Sequence, residues 1–301
     1  MDPISKDQQP GHPRRRLFRN RRIPVAMMVP NFFTLLSLAA GLTAIRMAIE
    51  GKFDFAVLLI GAAALIDGID GRLARALKVQ SRFGAELDSL ADTVNFGVAP
   101  ALILFIWGLG GLKGFGWVAV MVFACCMGLR LARFNAAIDT EKPKWMGNYF
   151  TGIPAPAGAL TVMLPYYLDG AGIVDAKAYP LAIALYTLFI AFMLVSTIPT
   201  WSGKLIGERI SRDLVPLIFG AVALVLGMLW SFPFLTLSIL VPIYLAVIPL
   251  SYKRFHEKLA ADEAEYAARA QAEQADPTSV ARPPLAPSVP PAAVPPSETK
   301  H

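Results

Sequence analysis

Apolar runs long enough to cross a lipid bilayer alternate along this chain with short polar breaks. The first covers 23–49, a second starts near 55 and runs into an acidic stretch, and others cover 84–109 and 115–129. Further runs follow near 153–168, 179–198, 213–230 and 233–250. About twenty apolar residues in helical form match the hydrocarbon core of a bilayer. The pattern therefore predicts an all-α fold: a polytopic membrane helical bundle of about eight transmembrane helices. The organisation that follows is a basic disordered arm over 1–22, a transmembrane domain over 23–251, a polar helix over 252–275 extending the last span, and a proline-rich disordered tail over 276–301.

Composition supports this reading. Hydrophobic residues make up 55% of the chain and charged residues 17%, with a mean hydropathy of +0.51, which excludes an ordinary soluble domain. The net charge of +6 could suggest nucleic acid, but the basic residues lie between apolar segments, where membrane orientation and anionic headgroups explain them better. No nucleic-acid partner is expected. Lysine and arginine alternate in density from loop to loop. Arg72, Arg75, Lys78 and Arg82, then Arg130, Arg133, Lys142 and Lys144, then Lys204, Arg209 and Arg212 fall on one side, and Lys52, Lys113 and Lys177 on the other. The positive-inside bias puts both termini and the acidic stretch on the cytoplasmic face of the inner membrane. The run 23–49 is too long for the core of a cleaved signal peptide. Cys125 and Cys126 are adjacent in an apolar run and read as packing, not as a disulfide. His12, His256 and His301 lie outside the apolar segments, which leaves carboxylates as the chemical equipment.

That equipment is concentrated in 67–92. On helical flanks Asp67 and Asp70, three apart, share one face, and Asp88 and Asp92, four apart, share another. A turn around 76–83 folds the second pair back on the first. Clustered carboxylates repel strongly in a low dielectric, so bound divalent cations are their natural neutraliser. An exposed loop between helices accounts for Arg72, Lys78, Arg82 and Glu86; it does not account for Asp88 and Asp92, one and two turns into an apolar helix. The small residues Gly71, Ala74 and Gly84 would let a ligand or backbone come close. The glycines at 108–116 lack the Lys-Ser/Thr ending of a phosphate loop and read as a turn.

The pattern Asp67-x-x-Asp70-Gly71-x-x-Ala74-Arg75-x8-Gly84-x3-Asp88-x3-Asp92 resembles, at every fixed position, the signature of the CDP-alcohol phosphotransferases. That resemblance implies Mg2+ or Mn2+ as cofactor, two ions per site, held by Asp67, Asp70 and Asp88 and by Asp67, Asp88 and Asp92. It also implies Asp92 as the base that deprotonates the acceptor alcohol, contacts to CDP-diacylglycerol from Asn31, Thr34, Gly71, Ala74, Arg75, Ser81 and Gly84, and a homodimer. Three further stretches resemble the branch of the family whose acceptor is L-serine: Asp92-Thr-Val-Asn-Phe-Gly-Val-Ala-Pro100, Arg130-Leu-Ala-Arg-Phe-Asn135 with Phe150-Thr-Gly-Ile-Pro-Ala-Pro156, and Val195-Ser-Thr-Ile-Pro199 with Lys204. Ser37 departs from an Asn common in relatives.

For the acceptor, Arg130 or Arg133 could grip a serine carboxylate through guanidinium geometry or merely anchor a membrane edge. Asn95, three residues after Asp92, could hydrogen-bond the amino acid or another helix. Asn135 belongs to the same candidate acceptor set. Two alternatives stand beside serine transfer: the same chemistry with inositol, glycerol phosphate or choline, and an ion-coupled transporter. The transporter would leave Gly71, Ala74, Arg75 and Gly84 unexplained.

Overall fold

The computed structural model describes residues 25–77, 79, 81–137, 143–201 and 214–275. The arm 1–22, the tail from 276, and Lys78, Lys142, Lys204, Arg209 and Arg212 lie outside the described residues. The first helix, α1 (Val25–Ile49), is apolar on every side, so polarity cannot choose its buried face. Size chooses it instead. Thr34, Ser37, Gly41, Ala44 and Ala48, spaced three or four apart, form the buried stripe, while Phe32, Leu35, Leu36 and Leu42 face outward. A tight turn through Gly51, at φ +76, returns the chain into α2 (Phe53–Ala76), which buries Ala56, Val57, Ile60, Ala63 and Asp70. These two helices make the most extensive packing in the molecule.

After a short turn, α3 (Arg82–Leu112) begins at Ser81, whose hydroxyl accepts from Gly84 N at 3.0 Å and caps the helix. Its regular spacing ends at Asp92, where a π segment, Thr93–Val98, widens the coil. Pro100 supplies the cause: it has no N–H to give Phe96 O and its ring crowds that carbonyl, and the wider turn relieves both. The next helix, α4 (Gly114–Ala136), buries Gly116, Ala119, Val120, Phe123, Met127, Arg130 and Leu131 along one stripe. It packs on α7 (Pro180–Val195), which buries Ile183, Ala184, Thr187, Ile190, Ala191 and Leu194.

Between α4 and α7 the chain forms strand β1 (Tyr149–Thr151) and two short helices, α5 (Ala155–Val162) and α6 (Leu164–Gly170). The break at Met163 precedes Pro165, which cannot continue the ladder. Strand β2 (Pro199–Trp201) pairs antiparallel with β1, Phe150 opposite Thr200. The last elements are α8 (Val215–Ser231), which buries no residue, and α9 (Pro233–Ala275). The outer surface carries large apolar side chains such as Phe55, Leu65, Phe192, Phe219 and Trp230. That distribution suits a lipid environment.

The fold is an all-α bundle with one minimal strand pair. Among the described residues four helices are long and apolar enough to cross a membrane, and Pro180–Val195 and Val215–Ser231 are shorter apolar helices. Three sequence expectations change. The run 115–129 does not end in a loop holding Arg130 and Arg133; α4 carries both to its last turns because each guanidinium finds backbone carbonyls to satisfy it. The run 153–168 is two helices, broken by proline. The strand pair had no periodic signal, since each strand is only three residues long.

Gly152 is where β1 meets α7. It has φ +74, and a Cβ there would lie 2.8 Å from Leu194 O and 2.9 Å from Ser196 O. Gly172 has φ +69 with open space around it. Gly152→Ala should therefore destabilise the protein by about 2 kcal/mol or more, and Gly172→Ala by about 1 kcal/mol. Thermal unfolding of the detergent-solubilised protein measures both; equal losses would contradict the close-approach account.

Candidate functional site

The acidic cluster forms where α2 and α3 meet over α1. Asp67, Asp70 and Asp88 each offer a carboxylate oxygen, and these oxygens lie within 4.8 Å of one another. Asp92 is not in that triad. Its carboxyl reaches Asp67, as does that of Asp88, so Asp67 is the centre on which both α3 carboxyls converge. Asp70 is 3% exposed and accepts from the Thr34 hydroxyl at 2.9 Å, while the same hydroxyl also lies 3.2 Å from Pro30 O. Asp92 Oδ1 is buried with no hydrogen-bond partner.

No ion pair among the described residues reaches the cluster. Among the described residues the pairs within 4.0 Å are Arg46–Glu50 and Lys52–Glu50, both at the α1–α2 turn, and none involves these four carboxylates. Hard oxygen donors crowded without a cationic side chain suit a hard divalent ion such as Mg2+ or Mn2+. The orphaned Asp92 Oδ1 adds a further donor beside the triad.

The residues expected to touch the CDP-linked lipid surround this cluster, and some already have structural tasks. Ser81 caps α3 through Gly84 N. A Cβ on Gly84 would lie 3.0 Å from Asn31 Oδ1 and 3.1 Å from Ser81 Oγ, so glycine is what lets α1 approach the start of α3. Thr34 orients Asp70. Gly71 and Ala74 are partly buried, and Arg75 is exposed with Nη1 near Gly71, 3.7 Å from a Cβ built there.

The acceptor candidates divide sharply. Asn95 is fully buried, and its Nδ2 donates to Ser37 Oγ at 2.8 Å, while Ser37 donates to Ala63 O at 3.0 Å. It joins α1, α2 and α3, and Gly41 makes room for it, since a Cβ there would overlap Asn95 Oδ1. Asn135 Nδ2 donates to Ser89 Oγ at 2.8 Å, tying α4 to α3. Arg133 caps the C-terminus of α7, donating to Val195 O at 2.6 Å, Ser196 O at 3.2 Å and Leu194 O at 3.4 Å. Arg130 alone faces the carboxylates. It is 9% exposed, lies near Asp92, and donates Nε to Ile153 O at 2.8 Å.

Ser89 was not singled out in the sequence, and Ser37 was noted only as a departure from the Asn common in relatives, although both serve as partners here. Ser37 had a signal: it sits in the small-residue stripe of α1, one turn beyond Thr34 and one before Gly41. Ser89 had none, because its partner lies 46 residues away.

Comparison with known proteins finds a family match. The family model for CDP-alcohol phosphatidyltransferase matches residues 27–198. The chain is 50% identical over 146 residues to a CDP-diacylglycerol–serine O-phosphatidyltransferase of Mycobacterium leprae, covering 48% of each chain. It is 40% identical over 142 residues to the protein of that name from Helicobacter pylori, covering 47% of this chain and 58% of the relative. It is 32% identical over 171 residues to that of Bacillus subtilis, covering 56% of this chain and 88% of the relative. The mycobacterial match thus spans about half of that relative's length.

Arg133→Ala should act on stability. Removing a charged donor from the carbonyls that end α7 is expected to cost about 2 kcal/mol. A lowered thermal midpoint in detergent checks this; an unchanged midpoint would return Arg133 to the acceptor set.

Proposed function

The chain belongs to the CDP-alcohol phosphatidyltransferase family, and from that premise we propose that it transfers the phosphatidyl group of CDP-diacylglycerol to L-serine, releasing CMP. The reading is carried by the convergence of Asp67, Asp70 and Asp88, with Asp92 against Asp67, and no lysine or arginine within ion-pairing distance among the described residues. The names of the mycobacterial, Helicobacter and Bacillus relatives support serine as the acceptor.

In this mechanism Asp92 takes the proton from the acceptor hydroxyl, which is a poor nucleophile until it is deprotonated. The oxygen attacks the phosphorus that bears diacylglycerol, and the bond to the CMP oxygen breaks. Two divalent ions, Mg2+ or Mn2+, would supply the charge stabilisation that a splitting pyrophosphate requires. Asp67, Asp70 and Asp88 would hold one, and Asp67, Asp88 and Asp92 the other. Thr34 keeps the Asp70 carboxylate oriented. Gly71, Ala74, Arg75 and Gly84, with Asn31 and Ser81, would line the nucleotide-lipid side.

The wider setting is part of the proposal. We read an inner-membrane protein of eight spans, with 23–251 as the catalytic domain and both termini and the site facing the cytoplasm. The positive-inside pattern and the sequence of helical segments support this count. A homodimer is proposed from family membership.

A detergent assay offering serine, inositol, glycerol phosphate and choline, with CMP release as readout, should give turnover with serine and lose it on chelation. A polyol preference would replace serine; full turnover after exhaustive chelation would remove the metal-site reading. Asp92→Asn should lower turnover by about 10²–10⁴-fold while still binding CDP-diacylglycerol, whereas Asp67→Asn should lose both. Equal loss of binding in the two variants would count against this division of roles.

A further inference from the structure

Tyr244 lies on α9, outside the family-matched segment 27–198. Its hydroxyl is buried and makes no hydrogen bond of good geometry; the Thr200 side chain, whose own hydroxyl donates to Gly152 O at 2.7 Å, stands beside it. It lies close enough to Arg130 for the two to interact electrostatically, and Arg130 in turn faces Asp92. Arg130 uses Nε on Ile153 O, and its Nη groups have no acceptor among the described residues. Asp92 Oδ1 is buried and unpartnered as well. A carboxylate, a two-nitrogen fork and a hydroxyl thus stand in succession, each with unused hydrogen-bonding capacity.

An unsatisfied buried polar group is costly; Arg133 and Asn135 find protein partners, while Asn95 Oδ1, Trp201 Nε1 and the Ser238 and Ser251 hydroxyls are also without one, but no electrostatic link joins them to Arg130 and Asp92. Tyr167 is also orphaned, but its electrostatic neighbour is Tyr186. The Asp92–Arg130–Tyr244 succession fits one chemical class, a hydroxyl-bearing amino acid. Its hydroxyl would meet Asp92, and its carboxylate would take the Arg130 fork on one side and the tyrosine O–H on the other.

We propose that Tyr244 is a specificity-determining residue that donates its hydroxyl to the carboxylate of the acceptor beside Arg130. The common catalytic segment then supplies the reaction, and a helix beyond it supplies part of the selection. This rests on the serine reading above.

The test uses the full chain in detergent, with CDP-diacylglycerol and either L-serine or serinol, in which a hydroxymethyl group replaces the carboxylate. Tyr244→Phe removes an O–H that makes no hydrogen bond of good geometry and has only the Thr200 side chain beside it, so its thermal midpoint should not fall. KM for L-serine should rise about tenfold, and the preference for serine over serinol in kcat/KM should fall by about the same factor. KM for CDP-diacylglycerol should not change. An unaltered serine-to-serinol preference, a parallel rise in KM for both acceptors and the lipid, or a lowered midpoint would each overturn the proposal. If the unmodified chain prefers a polyol to serine, the serine reading itself fails. If it prefers serine and Tyr244→Phe keeps that preference, only the role of Tyr244 fails.

Discussion

Carboxylates crowded between apolar helices repel one another, and much of this molecule is arranged to hold them together. Two unit charges 4 Å apart repel by on the order of 4 kcal/mol at the effective dielectric of a protein surface. Among the described residues no basic side chain lies within ion-pairing distance of the Asp67, Asp70, Asp88 and Asp92 set, and Arg130 acts on Asp92 only from longer range. The restraint comes from neutral groups: the Thr34 hydroxyl on Asp70, the Ser81 cap that fixes where α3 starts, and the fit of Asn31 against Gly84. A scaffold that holds acids together with no ion pair to them among its described residues is preorganised for a cation supplied from outside.

Side-chain size does the work that polarity does in a soluble bundle. In α1 the buried stripe of Thr34, Ser37, Gly41, Ala44 and Ala48 lets α2 and α3 approach, and the hydroxyls in that stripe reach across to Asp70, Ala63 and Asn95. Packing and polar satisfaction are met by the same residues. On α4 the stripe runs from Gly116 through Phe123 and Met127 to Arg130, so the face that packs the core also aims a guanidinium at the acids.

The acidic cluster was legible in the sequence because its spacing obeys helical periodicity on both sides of one short turn. Positions after Asp92 were less legible. Pro100 forces a π segment from Thr93, so Asn95 no longer keeps the regular offset from Asp92 and turns into the α1–α2 seam. Arg130 and Arg133 looked like the charged end of a span, since a local reading cannot see that Ile153 and the α7 terminus bring carbonyls to them from more than twenty and sixty residues away. The strand pair escaped for a similar reason: its three-residue strands are held by Gly152 against α7, a constraint written in backbone conformation.

The helix α9 is continuous from Pro233 to Ala275, with Pro242 and Pro249 inside it. Beyond the apolar region, Phe255 packs against Trp145 and Tyr149, and Asp262 accepts from Trp145 Nε1 at 3.1 Å. Tyr244 and Asp262 are five helical turns apart at 3.6 residues per turn, and so project from the same side of the rod. The aromatic clasp therefore acts as a keyway: by gripping the polar end of the shaft it bears on the azimuth of a side chain roughly 27 Å away along the axis, and the strap over 144–149 becomes the part that resists its turning.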